Sequence, residues 1–559
     1  MITLPVTPRM LVRAWAAMAA VVVGAAAGPA RPAVPPVLPV RIGFVAAEGA
    51  DFAALRRAGA GSVKLLADWS QIEPLPGAAL WDLLDRAVGA ARAAGLRVVL
   101  VLTYTPGWAA PAGERADPAV SSRQPPGRLD AWERFVTAAA ARYRGRVRDW
   151  QIWTARSLPV FRGTTREYLQ VLRTARIALR AADPSNRVVL ATPYGLDLPD
   201  LRGMMREAAG EFDVVSLQPR GIPPDGLLRP LATIRERIAP AGRPPLWLEW
   251  DPLTAGPRSS WPGQLVMATA VAAAAGVDEV FWAAEPTAVT GFVLQTLARH
   301  LGGRPYEGFL VRGPALLMVF GGDPPVAVAW SRVPAAVAVR GTSVRALGPT
   351  GDERPARPAD GGVEADVGPD PVLLVGLDPD EVAAARRMRA HGLPLPPGGE
   401  DFGSASEVSA LLGRTNRERG LYNMPYRGWR GEAQRVVTVD GVEALATEAA
   451  ADRVYVRFDV DDSFLYFVDG RAAVDIAVEV RGASAARAVG FNVWYDSMSG
   501  YRFTPWQWVD ASPGWVTHTV RLLDAAFANT WGFDFALNAA GNRREDLVVR
   551  SVTVRAVVR

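Results

Sequence analysis

Tryptophan recurs at or just after the buried, strand-like runs in the first half of this sequence. The residues are Trp69, Trp108, Trp153, Trp250 and Trp282. The apolar face of an indole ring packs well against the apolar face of a sugar ring. If the ends of these runs meet, the five rings would line a cleft suited to carbohydrate. The alternative is that they fill the top layer of a hydrophobic core.

The elements that must position these residues form a regular series. Eight apolar runs alternate with amphipathic stretches rich in alanine and arginine, and the runs cover residues 41–45, 62–68, 97–104, 148–153, 187–192, 212–217, 245–250 and 277–282. Eight strands with helices between them over about 250 residues predict a (β/α)8 barrel, which carries its chemistry at the carboxyl ends of its strands. A doubly wound open sheet is the alternative, but no glycine-rich phosphate loop follows the first run.

Three stretches in this region carry a family resemblance. They read "VKLLADWSQIEPLPG", "LDRAVGAARAAGLRVVLVLTYTPGWAAP" and "WERFVTAAAARYRGRVRDWQIW". They resemble retaining glycoside hydrolases of the clan-A (β/α)8 type, above all the xylosidase/iduronidase-like group and glycosidases of bacterial exopolysaccharide gene clusters. The resemblance spans about residues 40–380. It implies a carbohydrate substrate. From their positions at the ends of strands 5 and 6, we expect Tyr194 and Gln218 to join the tryptophans and Lys64 as substrate-binding residues.

The resemblance also shows where this chain departs from the family. In that clan strand 4 ends in "IWNEP", whose Glu is the general acid/base, but "DWQIWTARSLPV" has Thr154, Ala155 and Arg156 there. Strand 6 usually ends in "HPY", and this chain has Gln218, Pro219 and Arg220. We therefore expect Ala155 to mark a lost acid/base position. Acids elsewhere near strand ends are Asp68, Glu73, Asp251 and Glu285; they are either loop and capping residues or a displaced proton donor.

The nucleophile position, at the end of strand 7, has two readings. An ungapped match of "PLWL" places Trp250 on the nucleophile and Glu249 on the preceding Thr. A shift of one residue places Glu249 on the nucleophile, and such a slip exchanges the two faces of a strand. We favour Glu249 as the nucleophile, because an outward carboxylate under the helices would need a buried partner. Lys64, where the clan often has Arg, is either a cation beside the nucleophile or a structural lysine.

Beyond the barrel the pattern becomes all-β. The predicted organisation is a barrel over residues 39–300, a small β-sandwich over 301–380, a helix and linker over 381–400, and a jelly-roll-like, carbohydrate-binding-module-like sandwich over 401–559. In the last part, "WYDSMSGYRFTPWQW" brings Trp494, Tyr495, Tyr501, Trp506 and Trp508 into one stretch. These aromatic residues form either a flat sugar platform or the core of alternating strands.

The N-terminus and the composition indicate where the protein is located and which classes of ligand we do not expect it to bind. Arg9 and Arg13 precede an apolar run, then small residues and prolines, so residues 1–38 read as a secretory signal peptide with a proline-rich leader. This predicts a secreted or periplasmic protein; an uncleaved segment would instead attach it to the membrane. With no cysteine, three scattered histidines and dispersed arginines in a net charge of +5, we expect no cofactor, no metal and no nucleic-acid partner.

Together these features predict an exported, glycoside hydrolase-like protein that binds a polysaccharide or oligosaccharide. With Ala155 in place of the acid, we expect a catalytically impaired pseudo-glycosidase linked to exopolysaccharide metabolism. Two alternatives stay open. One is an active retaining glycosidase or transglycosidase with a displaced acid, and the other is a non-catalytic scaffold of a polysaccharide export assembly.

Overall fold

The computed structural model describes most of the chain after residue 37. The described residues are 38, 40–114, 117–155, 160–219, 222–235, 243–251, 259–283, 287–394, 401–424, 435–467, 472–483, 489–530, 533–542 and 545–557. The predicted signal segment, Arg156, Arg220 and Glu285 lie outside them. No helix among the described residues is long and apolar enough to cross a membrane.

Eight strands close into a barrel in chain order. They are β1 (Arg41–Val45), β2 (Ser62–Asp68), β3 (Arg97–Thr103), β4 (Asp149–Ile152), β5 (Arg187–Tyr194), β6 (Val214–Gln218), β7 (Leu246–Trp250) and β8 (Glu279–Trp282). Neighbouring strands pair in parallel where the ladder is described. The predicted (β/α)8 barrel is confirmed, and every predicted strand lies within two residues of its observed bounds.

Helices accompany these strands. They are α1 (Phe52–Arg57), α2 (Trp69–Ile72), α3 (Asp82–Ala93), α4 (Pro118–Ser121), α5 (Leu129–Arg142), α6 (Thr165–Ala182), α7 (Leu198–Glu207), α8 (Leu228–Thr233), α9 (Trp261–Ala274) and α10 (Ala288–Leu301). Local signals set their starts. Thr164 and Glu167 form a reciprocal capping box at α6, and the Ser260 hydroxyl accepts from the Gly263 amide at α9.

Antiparallel sheets follow the barrel. The first group is β9 (Tyr306–Arg312), β10 (Ala315–Phe320), β11 (Val326–Ser331), β12 (Ala335–Arg340), β13 (Arg345–Leu347), β14 (Glu353–Arg354), β15 (Ala356–Ala359), β16 (Gly362–Val367) and β17 (Val372–Val375). They form a six-stranded sheet (β14-β13-β17-β11-β10-β9) and a three-stranded sheet (β12-β16-β15) around a shared apolar core. Helix α11 (Pro379–Ala390) follows them.

The C-terminal part is one large antiparallel sheet wrapped around its own core. Its strands are β18 (Glu407–Leu411), β19 (Arg417–Arg419), β20 (Leu421–Asn423), β21 (Arg435–Val439), β22 (Val442–Ala446), β23 (Tyr455–Val460), β24 (Ala472–Arg481), β25 (Gly490–Ser497), β26 (Gly500–Phe503), β27 (Gln507–Trp508), β28 (Trp515–Ala525), β29 (Phe535–Asn538) and β30 (Val548–Ala556). The main path runs β19-β18-β30-β24-β28-β25-β29-β23-β20. The predicted fold class, a barrel followed by β-sandwich structure, is confirmed.

The chain divides into two compact units whose boundary crosses the barrel. The first comprises Ile42–Ala191 and Gly210–Val215, and the second comprises Leu38–Arg41, Thr192–Ala209 and Ser216–Arg559. The ends of β2, β3 and β4 therefore belong to the first unit, and the ends of β7 and β8 belong to the second. The predicted domain bounds at residues 300, 380 and 400 stay predictions.

Candidate functional site

The side chains of β2 alternate between the helix layer and the barrel interior. Trp69, which continues one face of the strand, packs against Phe135 of α5 at a ring-centroid distance of 5.3 Å. Lys64, Leu66 and Asp68 therefore lie on the opposite, interior face. Leu66 keeps 37% of its surface exposed although it lies in a barrel strand, whereas Lys64 is 1% exposed. The interior face of β2 is thus open to solvent above Lys64.

Register extends this interior face to β3 and β4. Leu66 pairs with Val101, and Val101 pairs with Gln151. The Gln151 amide nitrogen donates to the carbonyl oxygens of Trp153 at 3.0 Å and Thr154 at 3.2 Å. A buried side chain in the barrel therefore holds the backbone of the segment that follows β4.

Trp69 and Trp108 form part of an aromatic cluster beside β2. Trp69 is fully buried, contacts Trp132 and Trp108 with centroids 5.6 Å away in each case, and donates from Nε1 to Glu73 Oε2 at 2.8 Å. Trp108 is half-buried and donates from Nε1 to the Glu73 carbonyl at 2.9 Å. The Trp69 ring is thus enclosed by protein, while Trp108 keeps exposed surface.

The segment after β4 turns sharply at Trp153. Its φ of 68° lies in the left-handed region, and its fully buried ring meets Phe161 edge-on at 5.1 Å. Trp153 Nε1 donates to the Val160 carbonyl at 2.8 Å. Ala155 follows two residues later and has no exposed surface. The position predicted for the acid/base is therefore a buried methyl group.

Asp68, Tyr104 and Thr154 interact at the ends of β2, β3 and β4. Asp68 caps α2, accepting from Ser70 Oγ at 2.6 Å and the Gln71 amide at 3.3 Å. Burial raises the pKa of Asp68 against those hydrogen bonds, and the Glu48 charge raises it further. Burial and the Asp68 charge raise the pKa of Tyr104, while a hydrogen bond with Thr154 opposes the rise. These strand ends thus carry a carboxyl group that holds its proton more tightly than usual.

The pairing of β7 with β8, within the second unit, shows which way the Glu249 side chain points. Trp250 pairs with Trp282, and Trp282 contacts Trp261 of α9 at a centroid distance of 6.4 Å, so this face of β7 and β8 points to the helices. Glu249 pairs with Phe281 on the opposite, interior face. Glu249 is half-buried, whereas Trp250 and Trp282 are each 1% exposed. Of the two readings of strand 7, the structure has the one that turns Glu249 inward.

The ends of β5 and β6 meet a segment of the C-terminal sheet. The Gly195 amide donates to the Gln218 carbonyl at 2.9 Å, and Gln218 is 4% exposed. The Leu196 amide donates to the Thr530 carbonyl at 3.3 Å. Gly195 has a φ of 75°, and a Cβ there would lie 2.1 Å from the Thr530 oxygen. The Tyr194 side chain lies outside the described part of the structure.

The placement of the predicted residues is therefore mixed. Lys64 and Glu249 occupy interior faces, Trp108 keeps exposed surface, and the structure encloses Trp69, Trp153, Trp250 and Trp282. Tyr104 and Thr530 were not predicted; the only sequence signal was the position of Tyr104 in the motif after strand 3. Among the described residues no three His, Cys, Asp or Glu side chains are placed to hold a metal ion. The substrate-binding and catalytic roles of these residues stay predictions.

Comparison with solved structures found several proteins that are similar to this chain. A family 39 glycoside hydrolase from the gut symbiont Bacteroides cellulosilyticus WH2 is 16% identical over 61% of this chain and 81% of its own, with a TM-score of 0.50. A GH39 β-xylosidase from Caulobacter crescentus is 16% identical over 62% of this chain and 98% of its own, with a TM-score of 0.41. A glucosidase from Croceicoccus marinus is 13% identical over 94% of this chain and 96% of its own, with a TM-score of 0.39.

At such identities the likeness establishes the fold alone. The shared fold is a closed eight-stranded parallel barrel, which this chain has in common with that family 39 glycoside hydrolase. No protein-family model and no curated protein matches the sequence. What the barrel does must therefore be argued from its own residues.

Proposed function

We propose that the barrel is a glycoside hydrolase-like domain that binds polysaccharide and hydrolyses it weakly or not at all. The observation that carries the proposal is Ala155, which follows β4 as a fully buried methyl group. Retaining hydrolysis uses one carboxylate to attack and a second, about 5 Å away, to protonate the leaving oxygen. A barrel with only alanine at the second position would lose about 10²–10⁴-fold in rate.

The strand ends support carbohydrate binding without that acid. The interior face of β2 exposes Leu66, and half-buried Tyr104 and Trp108 follow β3. Aromatic and apolar surface beside a few polar groups is typical of pockets that bind neutral sugars. In the second unit, considered by itself, Glu249 offers a half-buried carboxylate on the interior face of β7, and a carboxylate accepts hydrogen bonds from sugar hydroxyl groups.

We further propose that the protein is exported and acts in exopolysaccharide metabolism. The support is the order of residues at its N-terminus, where Arg9 and Arg13 precede an apolar run and prolines. N-terminal sequencing of protein recovered from the periplasm or medium tests the proposal. Loss of about the first thirty residues is expected. Recovery of uncleaved chain in the membrane fraction would indicate attachment instead, and recovery only in the cytoplasm would contradict export.

Asp68 favours a second candidate, an active retaining glycosidase or transglycosidase with a displaced acid. Its side chain lies on the interior face at the end of β2, and burial raises its pKa toward the range that a proton donor needs. Glu73, another acid considered from the sequence, is occupied by Trp69 Nε1 and by the Gly77 amide, each at 2.8 Å. Asp68 is therefore the better-placed donor of these two.

One set of variants separates the two functions. Hydrolysis of neutral and acidic polysaccharides is followed by reducing-end release for wild type, Glu249→Gln and Asp68→Asn, and binding is measured by affinity electrophoresis. The proposal predicts retardation by at least one polysaccharide and hydrolysis that is absent or slowed by about 10²–10⁴-fold relative to an active glycosidase. Hydrolysis at the rate of an active glycosidase that disappears in Glu249→Gln would overturn it in favour of the active enzyme.

Asp68→Asn then identifies the donor. If Asp68 is the acid, its loss lowers kcat/KM by about 10²–10⁴-fold. The control is Asp117→Asn, since Asp117 caps α4 in the same way but is exposed. Ala155→Glu should not create activity under the proposal, because the methyl group it replaces has no exposed surface. A gain of hydrolysis in Ala155→Glu would show that only the one carboxylate was missing.

A further inference from the structure

Strand β25 of the C-terminal sheet presents two different faces. Phe491, Val493 and Tyr495 point into the apolar core and are at most 6% exposed. Because side chains alternate along a strand, Asn492 and Trp494 point to the other face. Tyr495 is thereby excluded from any surface platform, and its hydroxyl donates to Asp524 Oδ1 at 2.7 Å.

Strand register identifies which neighbours share the outer face. Residues directly opposite in an antiparallel pair point to the same side of the sheet. Trp494 is opposite Phe503, Gly490 is opposite Trp508, Asn492 is opposite Asn538, and Asn538 is opposite Tyr455. We call this surface the aromatic–amide face, formed by Tyr455, Asn492, Trp494, Phe503, Trp508 and Asn538. It contains no residue of the barrel.

Two aromatic rings of this face are exposed, and neighbouring side chains pack against each of them. Phe503 is 57% exposed and Trp508 is 61% exposed. Trp494 lies almost parallel to Phe503, at 9° and a centroid distance of 5.6 Å. Trp508 meets Trp506 at 5.9 Å, and Trp506 packs so closely on Gly490 that a Cβ there would lie 2.2 Å from its Nε1. Two large rings exposed in one short stretch indicate a binding surface.

Amide groups lie between the rings. The Asn538 amide nitrogen donates to Asn492 Oδ1 at 2.9 Å, and the Asn492 amide nitrogen donates to the Thr504 carbonyl at 3.3 Å. These bonds fix the direction of the Asn492 side chain, which remains half-buried. Arg457 is opposite Ala536, which is opposite Trp494, so this cation lies on the same face; it is 8% exposed and lies over the Tyr455 and Phe533 rings. The described residues of this surface therefore offer ring faces and hydrogen-bonding amides, and none of them is an exposed cation of the kind that an anionic membrane attracts.

We propose that the aromatic–amide face binds a segment of a neutral polysaccharide, with sugar rings stacked on Phe503 and Trp508 and hydroxyl groups hydrogen-bonded at Asn492. Sugars present apolar ring faces and polar edges, which match this alternation of rings and amides. The two exposed rings flank β25 positions that are four residues apart, or about 13 Å along the strand. A monosaccharide is too short to contact both, so the face selects a chain.

The test uses the full-length protein in affinity electrophoresis with xylan, mixed-linkage β-glucan and galactomannan. The variants are Phe503→Ala, Trp508→Ala and the double variant, and the matched control is Phe292→Ala, another ring that is 55% exposed but lies on α10. We expect wild-type protein to be retarded by at least one polysaccharide. Each single variant should bind about 10-fold more weakly, the double variant should keep only the weaker retardation that the barrel contributes, and Phe292→Ala should behave as wild type.

Competition and folding measurements complete the test. Oligosaccharides of the retarding polysaccharide should release the protein, and the corresponding monosaccharide should not; circular dichroism should show all variants folded. Three results would overturn the proposal: retardation by none of the polysaccharides, full retardation of the double variant, or loss of self-association rather than glycan binding in Phe503→Ala and Trp508→Ala. Full retardation of the double variant would still leave binding by the barrel intact, so the two proposals fail separately.

Discussion

Glu249 of β7 pairs with Phe281 of β8 in the parallel ladder, and this pairing turns its carboxylate to the interior face of the barrel. The next residue, Trp250, pairs with Trp282 on the face that meets α9. The two neighbours therefore have opposite environments. Glu249 is half-buried on the interior face, while Trp250 belongs to the packing between strands and helices.

This difference predicts that substitutions at the two positions lower the free energy of unfolding by very different amounts. Trp250→Ala should lower the free energy of unfolding by about 3–5 kcal/mol, because it removes a fully buried indole and leaves a cavity. Glu249→Gln, a nearly isosteric change on a half-buried side chain, should cost less than about 1 kcal/mol. Urea denaturation followed by tryptophan fluorescence and circular dichroism measures both. Comparable losses in the two variants would contradict the assigned faces.

Part of this arrangement could be predicted from the sequence and part could not. The eight strands were predictable because each is an apolar run closed by a turn, and β2 and β7 lie within one residue of their predicted bounds. The direction of Glu249 was not, because "PLWLEWDP" fits the family pattern in two registers. Only the hydrogen-bonded partner strand distinguishes them, and that information is absent from the strand itself.

The tryptophans at the strand ends show a second limit. Placing an indole at the end of a strand does not fix which layer receives its ring. Trp69 turns into the layer of α5, and Trp153 takes a left-handed backbone that buries its ring against Phe161. Likewise, the interaction of Asp68 with Tyr104 depends on the relative register of β2 and β3, which no local pattern encodes.

A buried aspartate bound to two partly exposed arginines at the amino-terminal end of the strands gives another prediction. Asp149 is 1% exposed and accepts hydrogen bonds from Arg97 and from Arg187 Nε, the latter at 2.6 Å. Asp149→Ala would leave the two guanidinium groups without their shared carboxylate; because water reaches both of them, the cost should be about 1–3 kcal/mol. Chemical denaturation should show this loss of stability, and affinity electrophoresis should show unchanged retardation by polysaccharide. Asp130→Ala, an exposed carboxylate between two arginines, is the control and should shift the midpoint little.

Gly195 lies where a segment around Thr530 packs closely against the end of β5, so we expect an added side chain there to lower the stability of the protein. Gly195→Ala combines a φ of 75° with a Cβ placed 2.1 Å from the Thr530 carbonyl oxygen. Gly210→Ala is a matched control, because its φ is 82° but nothing lies within 4 Å of the added atom. Backbone strain alone should cost about 1–2 kcal/mol in the control, and Gly195→Ala should cost about 1–3 kcal/mol more. If urea denaturation shows equal losses of unfolding free energy in the two variants, the close approach of Gly195 to Thr530 adds no cost.

Because the Asp496 carboxyl group is buried, we expect the protein to become less stable as the pH rises. It is fully buried, accepts from the Ala528 amide at 3.0 Å and Thr530 Oγ1 at 2.9 Å, and burial raises its pKa to about 7 from an ordinary value of 3.8. Between these values the folded chain keeps a proton that the unfolded chain has lost. The free energy of unfolding therefore falls as pH rises through this window, by up to about 1.4 kcal/mol per pH unit.

Asp496→Asn should remove that slope. Urea denaturation at pH 4.5, 5.5, 6.5 and 7.5 should show the variant gaining on wild type as the pH rises, with the difference levelling off near the folded pKa. Asp475→Asn provides the control, because the Arg521 guanidinium lowers the pKa of Asp475 and confines its effect to more acidic solutions. If wild type and Asp496→Asn lose stability in parallel from pH 4.5 to 7.5, the Asp496 carboxyl group does not retain its proton in the folded protein.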